Sequence, residues 1–277
     1  MPDSEDKYRA LRRLPPFPAI ATKLLGVLSH DDVQTKQIVE LVRSDTALAS
    51  ELLRVVNSPI YGFQGRISSI QNAVTLLGFE TVKNFALTVS MKGFLHTALR
   101  LDVLRRLWRH SLACGLISEE LSAVCSTSQG RDDRAYTAGL LHNIGSLGLF
   151  VAHPRSYADL LAQADGAHIL EREREAFGID HCDAGGWLAQ SWGLPEEVQQ
   201  AVKTHHDPPS QTSFERIDLV RVGVLLTDAF GFDVVASANG YTITDIRKLL
   251  PLAAQYRFDP DPVVMLARIT GRLDAFD

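Results

Sequence analysis

Residues 138–150 read AGLLHNIGSLGLF: two polar side chains, His142 and Asn143, and one small hydroxyl, Ser146, set in an otherwise apolar and glycine-bearing run. The run belongs to a longer stretch, from Tyr136 to Pro154, with no Asp, Glu, Lys or Arg. That length approaches a membrane span. Two histidines, an asparagine and three glycines inside it argue instead for a helix buried in a water-soluble fold, together with its exit. A buried imidazole needs a partner, because an unpaired buried polar group costs about 1–3 kcal/mol. His142 is therefore the residue the fold has to account for.

The same feature recurs on other helical stripes. His110 shares a face with Leu107, Cys114, Ile117 and Leu121, and His181 with Ala184, Gly185 and Leu188. His205 follows Val198, Ala201 and Val202, with His206 next to it, and Asp228 continues the stripe of Val220 and Val224. Five predicted helices each place a titratable group where a core residue belongs. Separate satisfaction of all five is costly. Convergence, as a metal site or a hydrogen-bonded cluster inside a bundle, satisfies them together.

Helical periodicity dominates the chain, and no alternating strand pattern persists beyond a few residues. Asp45 and Ser69 read as helix starts, and Asp180 as the N-cap of the helix carrying His181. Pro59 stops a helix at Asn57-Ser58. A long helix is expected near 101–124 and another, unbroken, over 134–150. The fold class predicted is all-α, a two-lobed helical bundle. Its 277 residues, 45% hydrophobic and 22% charged, are ordinary for a globular protein and ample for a large core. A net charge of −5 does not favour a nucleic-acid surface. Three cysteines without a CxxC pair read as reduced thiols, and the charged N-terminus shows no secretory h-region, so a cytoplasmic protein with no membrane association is expected.

The histidine series, His110, His142-Asn143, His181, His205-His206 and Asp228, resembles the HD superfamily of metal-dependent phosphohydrolases, and LLHNIGSL resembles that family's LLHDIGKL. Three further segments, LPPFPAIATKLL, SDTALASELLRVVNSPIYG and ISSIQNAVTLLGFETVKNFAL, resemble the HDOD family, the HD-related output domain of bacterial signalling proteins. The likeness runs over roughly residues 14–210. It implies an N-terminal helical lobe at 1–98, an HD-like helical lobe at 99–210, and a C-terminal helical extension at 211–277 that completes the bundle.

The resemblance also marks departures. Where an HD hydrolase has a metal-bridging Asp, this chain has Asn143, a neutral and weaker ligand. Where that pattern has a lysine, this chain has Ser146. After His206 the chain reads Asp207-Pro208-Pro209, without the Gly-Tyr-Pro of the HD-GYP branch. The expectation is a non-catalytic output or scaffold module relaying a signal to receiver, kinase or diguanylate-cyclase-type proteins in trans. No cofactor is required. His110, His142, His181, His205, His206 and Asp228 leave room for one divalent metal (Fe, Mn, Zn or Mg). The alternative is a surviving metal-dependent phosphohydrolase acting on a nucleotide or phosphodiester.

Other features carry bland expectations. Arg100, Arg105, Arg106 and Arg109 beside Trp108 read as a solvated face pairing with acids such as Glu119 and Glu120, rather than as a nucleic-acid site. The run LEREREAFG (170–178) reads as a charged helix surface with no site. Ile60 and Tyr61 of NSPIYG are expected to pin a helix stop against the second lobe. No P-loop, GxGxxG, GxSxG or HExxH is present, and no thiol chemistry is expected.

Overall fold

The computed structural model describes residues 6–28, 35–95, 101–125, 132–164, 166–210, 212–235, 240–258 and 262–277. Arg100 lies outside them. Among the described residues there is no strand, and none of the helices is long and apolar enough to cross a membrane.

Contacts divide the chain into two compact units. One comprises Phe17–Ala98 with Leu266–Asp277, the other Met1–Pro16 with Leu99–Met265. The segments are interleaved, which differs from the consecutive division expected from sequence. The termini explain the difference. Near the N-terminus, Tyr8 stacks on Trp187 with ring centroids 5.6 Å apart, and Leu11 is buried. At the C-terminus, Phe276 meets Phe85 edge to face at 5.4 Å, and Lys92 donates to the Phe276 carbonyl.

The smaller unit contains α1 (Ala19–Leu28), α2 (Thr35–Arg43), α3 (Thr46–Val56), α4 (Ile70–Leu77) and α5 (Phe79–Leu95). Asp45 caps α3 by accepting from the Leu48 amide at 3.0 Å, and Ser69 caps α4 by accepting from the Asn72 amide at 3.1 Å. Pro59 ends the α3 exit in a single 3-10 turn. Ile60 and Tyr61 pack within this unit: Tyr61 lies 5.2 Å from the Phe85 ring, and Ile60 sits beside Gly271. Helix α5 forms the centre, against α1, α3 and α4.

The larger unit is built on α6 (Asp102–Cys125), packed against α7 (Asp133–Leu141) and α13 (Arg216–Ala229). Next come α8 (Ile144–Ala152), α9 (Pro154–Gln163), α10 (Ile169–Phe177), α11 (His181–Ser191) and α12 (Glu196–Thr204). After α13 follow α14 (Ile243–Lys248) and α15 (Leu252–Arg257); of α16 (Pro262–Asp274), only the first turn belongs to this unit, and the rest, from Leu266, to the smaller one. The single helix expected over 134–150 is two, broken at His142-Asn143. Beyond the break, α8 crosses α11 so closely that a Cβ on Gly145 would lie 1.8 Å from the His181 carbonyl oxygen. Only glycine permits that approach.

The arginine face of α6 is exposed at Arg105 and Arg106, but its acid is Asp102, at 3.7 and 4.0 Å. Glu119 and Glu120, expected as its partners, are buried, as is Trp108. A buried indole offers no stacking platform to a base.

Candidate functional site

Four helices of the larger unit deliver the histidines and a fifth delivers Asp228. His110 comes from the middle of α6, His142 from the end of α7, and His181 from the start of α11, where Asp180 caps the helix. His205 and His206 follow α12, and Asp228 lies in the last turn of α13. Their rings form one continuous row. His110 to His142 is 5.3 Å between centroids, His142 to His205 is 4.8 Å, and His205 to His206 is 4.4 Å. His181 lies 5.2 Å from His205 and 4.9 Å from His206. Asp228 reaches the row at His110, Oδ1 to Nδ1 3.6 Å.

Hydrogen bonds fix which ring nitrogen faces inward. His110 Nδ1 donates to the Phe232 carbonyl at 3.0 Å and His142 Nδ1 to the Gly139 carbonyl at 2.6 Å. His205 Nδ1 lies 3.1 Å from the carbonyls of Ala201 and Val202. His181 Nδ1 donates to Glu173 Oε2 at 2.7 Å. With each Nδ1 engaged, the Nε2 atoms are left to face the nest. His142 Nε2 is buried without a hydrogen-bond partner. His181 Nε2 lies 3.2 Å from His205 Nε2 and 2.9 Å from His206 Nε2. Lone pairs do not meet at such distances without a proton or a cation between them.

The electrostatics follow. Burial drives His110 down to about 4, and drives His142 and His205 well below the usual histidine range, so these rings are neutral. Burial also opposes charge on His181, but the Glu173 carboxylate and then Cys182 outweigh it, and His181 titrates well above the ordinary range. In the protein alone, the proton on His181 joins the three facing Nε2 atoms.

Glu173 is the residue that sequence reasoning missed. It lies in the charged run of α10 yet is 0% exposed. Its Oε2 accepts both the backbone amide and the ring of His181 at 2.7 Å, and its Oε1 accepts the Tyr157 hydroxyl at 2.7 Å. The available signal was spacing: Glu173 follows Ile169 by four positions, on the buried side of α10. Cys182 was missed as well. Its Sγ and one ring nitrogen each of His181, His205 and His206 lie within 4.8 Å of one another. Cys114 and Cys125 differ, because burial pushes their thiols up to about 12 and about 11.

The two positions where this chain departs from the hydrolase pattern meet each other. Ser146 Oγ donates to Asn143 Oδ1 at 2.6 Å, with both side chains buried. The amide oxygen that replaces a bridging carboxylate is thereby engaged. A metal set of all six sequence-derived residues would need them around one point. The structure gathers His181, His205 and His206 in one tight group with Cys182, while His110, His142 and Asp228 adjoin it along the row. The row lines a cavity of about 570 Å³ whose wall also carries Tyr157, Arg221 and Tyr241.

Comparison with known proteins adds four findings. The family model for the HDOD domain matches residues 14–208. An uncharacterized protein of Treponema pallidum (strain Nichols) is 31% identical over 204 residues, which is 71% of this chain but 39% of that protein. Among solved structures, a provisional phosphohydrolase of Shewanella amazonensis SB2B matches with a TM-score of 0.73 at 19% identity, covering 98% of both chains. A protein of Marinobacter aquaeolei VT8 assigned provisionally to signal transduction matches at 0.76 and 23% identity, covering 98% of this chain and 65% of that one. At these identities the structural matches establish a shared fold.

Proposed function

The chain belongs to the HDOD domain family, and we propose that it works as a non-catalytic output module in bacterial signal transduction, relaying a signal through protein or small-ligand contacts. The observation that carries this reading is the Asn143–Ser146 hydrogen bond. A phosphohydrolase of this ancestry uses a carboxylate at the first position and a cation at the second. Here two neutral side chains occupy them and satisfy each other, leaving neither a bridging charge nor a lysine for phosphate. The partners proposed are receiver, kinase or diguanylate-cyclase-type proteins in trans. The cavity beside the histidine row is of a size that takes a small molecule.

A second reading, a residual phosphohydrolase, is favoured by the inward-facing ring nitrogens and by the fold shared with the Shewanella protein. His110, His142, His181, His205 and Asp228 would then hold a divalent ion, which when bound supplies Lewis acidity and an activated water for attack on phosphorus. One assay separates the two. Protein supplemented with Mn²⁺ or Fe²⁺ is incubated with cyclic dinucleotides, nucleotides and a generic phosphodiester. The output-module reading expects no turnover above a metal-only blank. Turnover that disappears in His142→Ala would overturn it.

A further inference from the structure

We propose that the cavity beside the histidine row binds an uncharged apolar molecule bearing a hydroxyl group, an alcohol or phenol, whose O–H donates directly to His142 Nε2 with no metal between them. This rests on the small-ligand form of the output-module reading and names the class of ligand.

The acceptor comes first. His142 Nδ1 donates to the Gly139 carbonyl of its own helix at 2.6 Å, so the ring carries its proton there and Nε2 presents a lone pair. His142 is 1% exposed, and its Nε2 has no hydrogen-bond partner among the described residues. Other inward nitrogens differ: His181 Nε2 meets those of His205 and His206 at 3.2 and 2.9 Å. A buried lone pair is satisfied only by a donor, and His142 lines the cavity. Asn143, the next residue, lines it too. Its side-chain oxygen accepts from the Ser146 hydroxyl, so its NH₂ remains to donate. A hydroxyl both gives a proton and takes one, which suits an acceptor and a donor on adjacent residues.

The charges of the wall argue against a phosphate. Arg221 donates to the Thr204 carbonyl at 3.0 Å and pairs with Asp218 at 3.1 Å and Asp207 at 3.4 Å. Arg174 pairs with Asp180, and His181 with Glu173 at 2.7 Å. Asp228 brings a further carboxylate to the same wall. An anion entering here would lose its water to cations already neutralised by their own acids, whereas an uncharged ligand meets no such cost. The remaining surface is apolar. Val224 and Val234 are buried, Leu225 and Leu249 half-buried, and the Tyr241 ring is half exposed. A cavity of about 570 Å³ with this mixture, mostly apolar with a few placed polar atoms, has the character of a small-molecule site.

The test uses three probes with the whole, untagged chain: 2-naphthol, its methyl ether 2-methoxynaphthalene, and 2-naphthyl phosphate. Each is kept dilute and followed by its own fluorescence, excited beyond the tryptophan band, while protein is added in buffer containing a chelator. 2-Naphthol should bind saturably. The ether keeps the rings and the oxygen but cannot donate, and should bind roughly tenfold more weakly or worse, with the phosphate weaker still. His142→Leu should abolish the preference for naphthol over ether while ether binding persists. Leu249→Trp narrows the cavity from α14, which carries no member of the row, and should weaken naphthol and ether alike; it keeps the test decisive if His142→Leu does not fold. No saturable binding of naphthol, equal binding of naphthol and ether, tighter binding of the phosphate, a preference that survives in His142→Leu, or naphthol binding unchanged in Leu249→Trp would each overturn the proposal. The output-module reading fails on a different readout. With Mn²⁺ in place of chelator, release of naphthol from its phosphate would overturn that reading without touching the comparison of naphthol with ether. Equal binding of those two would remove the ligand class and leave the reading standing.

Discussion

Around Phe85 the core is apolar: Tyr61 and Phe276 pack their rings on it, and Leu52, Val55 and Val56 are fully buried nearby in the same unit. Around His142 the corresponding place is filled by imidazoles, with His110 and His205 on its flanks and Glu173 behind His181. The first arrangement holds by area removed from water, which is non-directional and tolerant of small shifts. The second holds only while each nitrogen and oxygen keeps its partner, because a half-satisfied polar cluster is worse than a greasy one. An apolar core stabilises at any pH, whereas a histidine core is tied to protonation and to ligands.

The largest effect expected is from Phe85→Ala, which should cost about 3–5 kcal/mol, as a large aromatic lost from a packed core does. Urea unfolding should show the same loss at pH 7 and pH 5, and an equal cost at both would mark this core as apolar in behaviour. Gly145→Ala probes the other unit. Its Cβ would collide with the His181 carbonyl oxygen at 1.8 Å, a main-chain atom that cannot swing aside, so about 3 kcal/mol or more is expected. All three tryptophans, Trp108, Trp187 and Trp192, lie within Leu99–Met265, so their fluorescence reports that loss in the larger unit.

Glu173→Gln removes a buried charge yet keeps nearly the same shape. One acceptor oxygen then serves Tyr157 and the His181 amide and ring, and about 1–3 kcal/mol should be lost in urea unfolding. Acid should act in the same place. His110 titrates near 4 in the folded protein and near its ordinary 6.5 when unfolded, so below 6.5 the unfolded chain takes up the proton first. Its contribution is present above 6.5 and is lost as pH falls through that window, about 2 kcal/mol by pH 5. His142 and His205 shift in the same direction. His181 shifts the opposite way: its contribution is full below 6.5 and is lost as pH rises through its raised value, which offsets part of the acid loss. Tryptophan-detected unfolding midpoints between pH 7 and pH 5 check the net slope. A larger unit indifferent to pH would erase the contrast with Phe85.

Much of this was legible in the sequence because it is local. Caps at Asp45, Ser69 and Asp180 announce themselves within four residues, and the face shared by His110 with Leu107 and Cys114 follows from helical spacing alone. What was not legible depends on distant segments. The helix break at His142-Asn143 accompanies the close crossing of α8 over α11, with the chain segments some 36 positions apart in sequence, Gly145 against His181. Glu173 looked like one acid among several in a charged run, and its burial follows from where α10 lies against α11. Cys182 lacked the spacing of a metal motif, since its companions are a neighbour in sequence and two residues that follow the next helix. Sequence periodicity identifies the inward face of each helix; which inward faces meet is a property of tertiary packing.

The smallest predicted effect tests whether the contrast between the units lies in their cores or in their helices generally. Ser69 and Asp180 perform the same task, each accepting a main-chain amide at the start of a helix, at 3.1 and 2.7 Å. Ser69→Ala removes one such bond in the smaller unit and should cost about 1 kcal/mol, equally at pH 7 and pH 5, since a hydroxyl does not titrate there. Asp180→Asn keeps an accepting oxygen for the Asp183 amide but discharges the partner of Arg174, whose guanidinium is more than half exposed, so only a few tenths of a kcal/mol should follow. If both substitutions leave the acid sensitivity of the tryptophan-detected transition unchanged, that sensitivity belongs to the imidazole row. If Asp180→Asn alone removed it, the row would be a bystander and the charged start of α11 the true pH-responsive element.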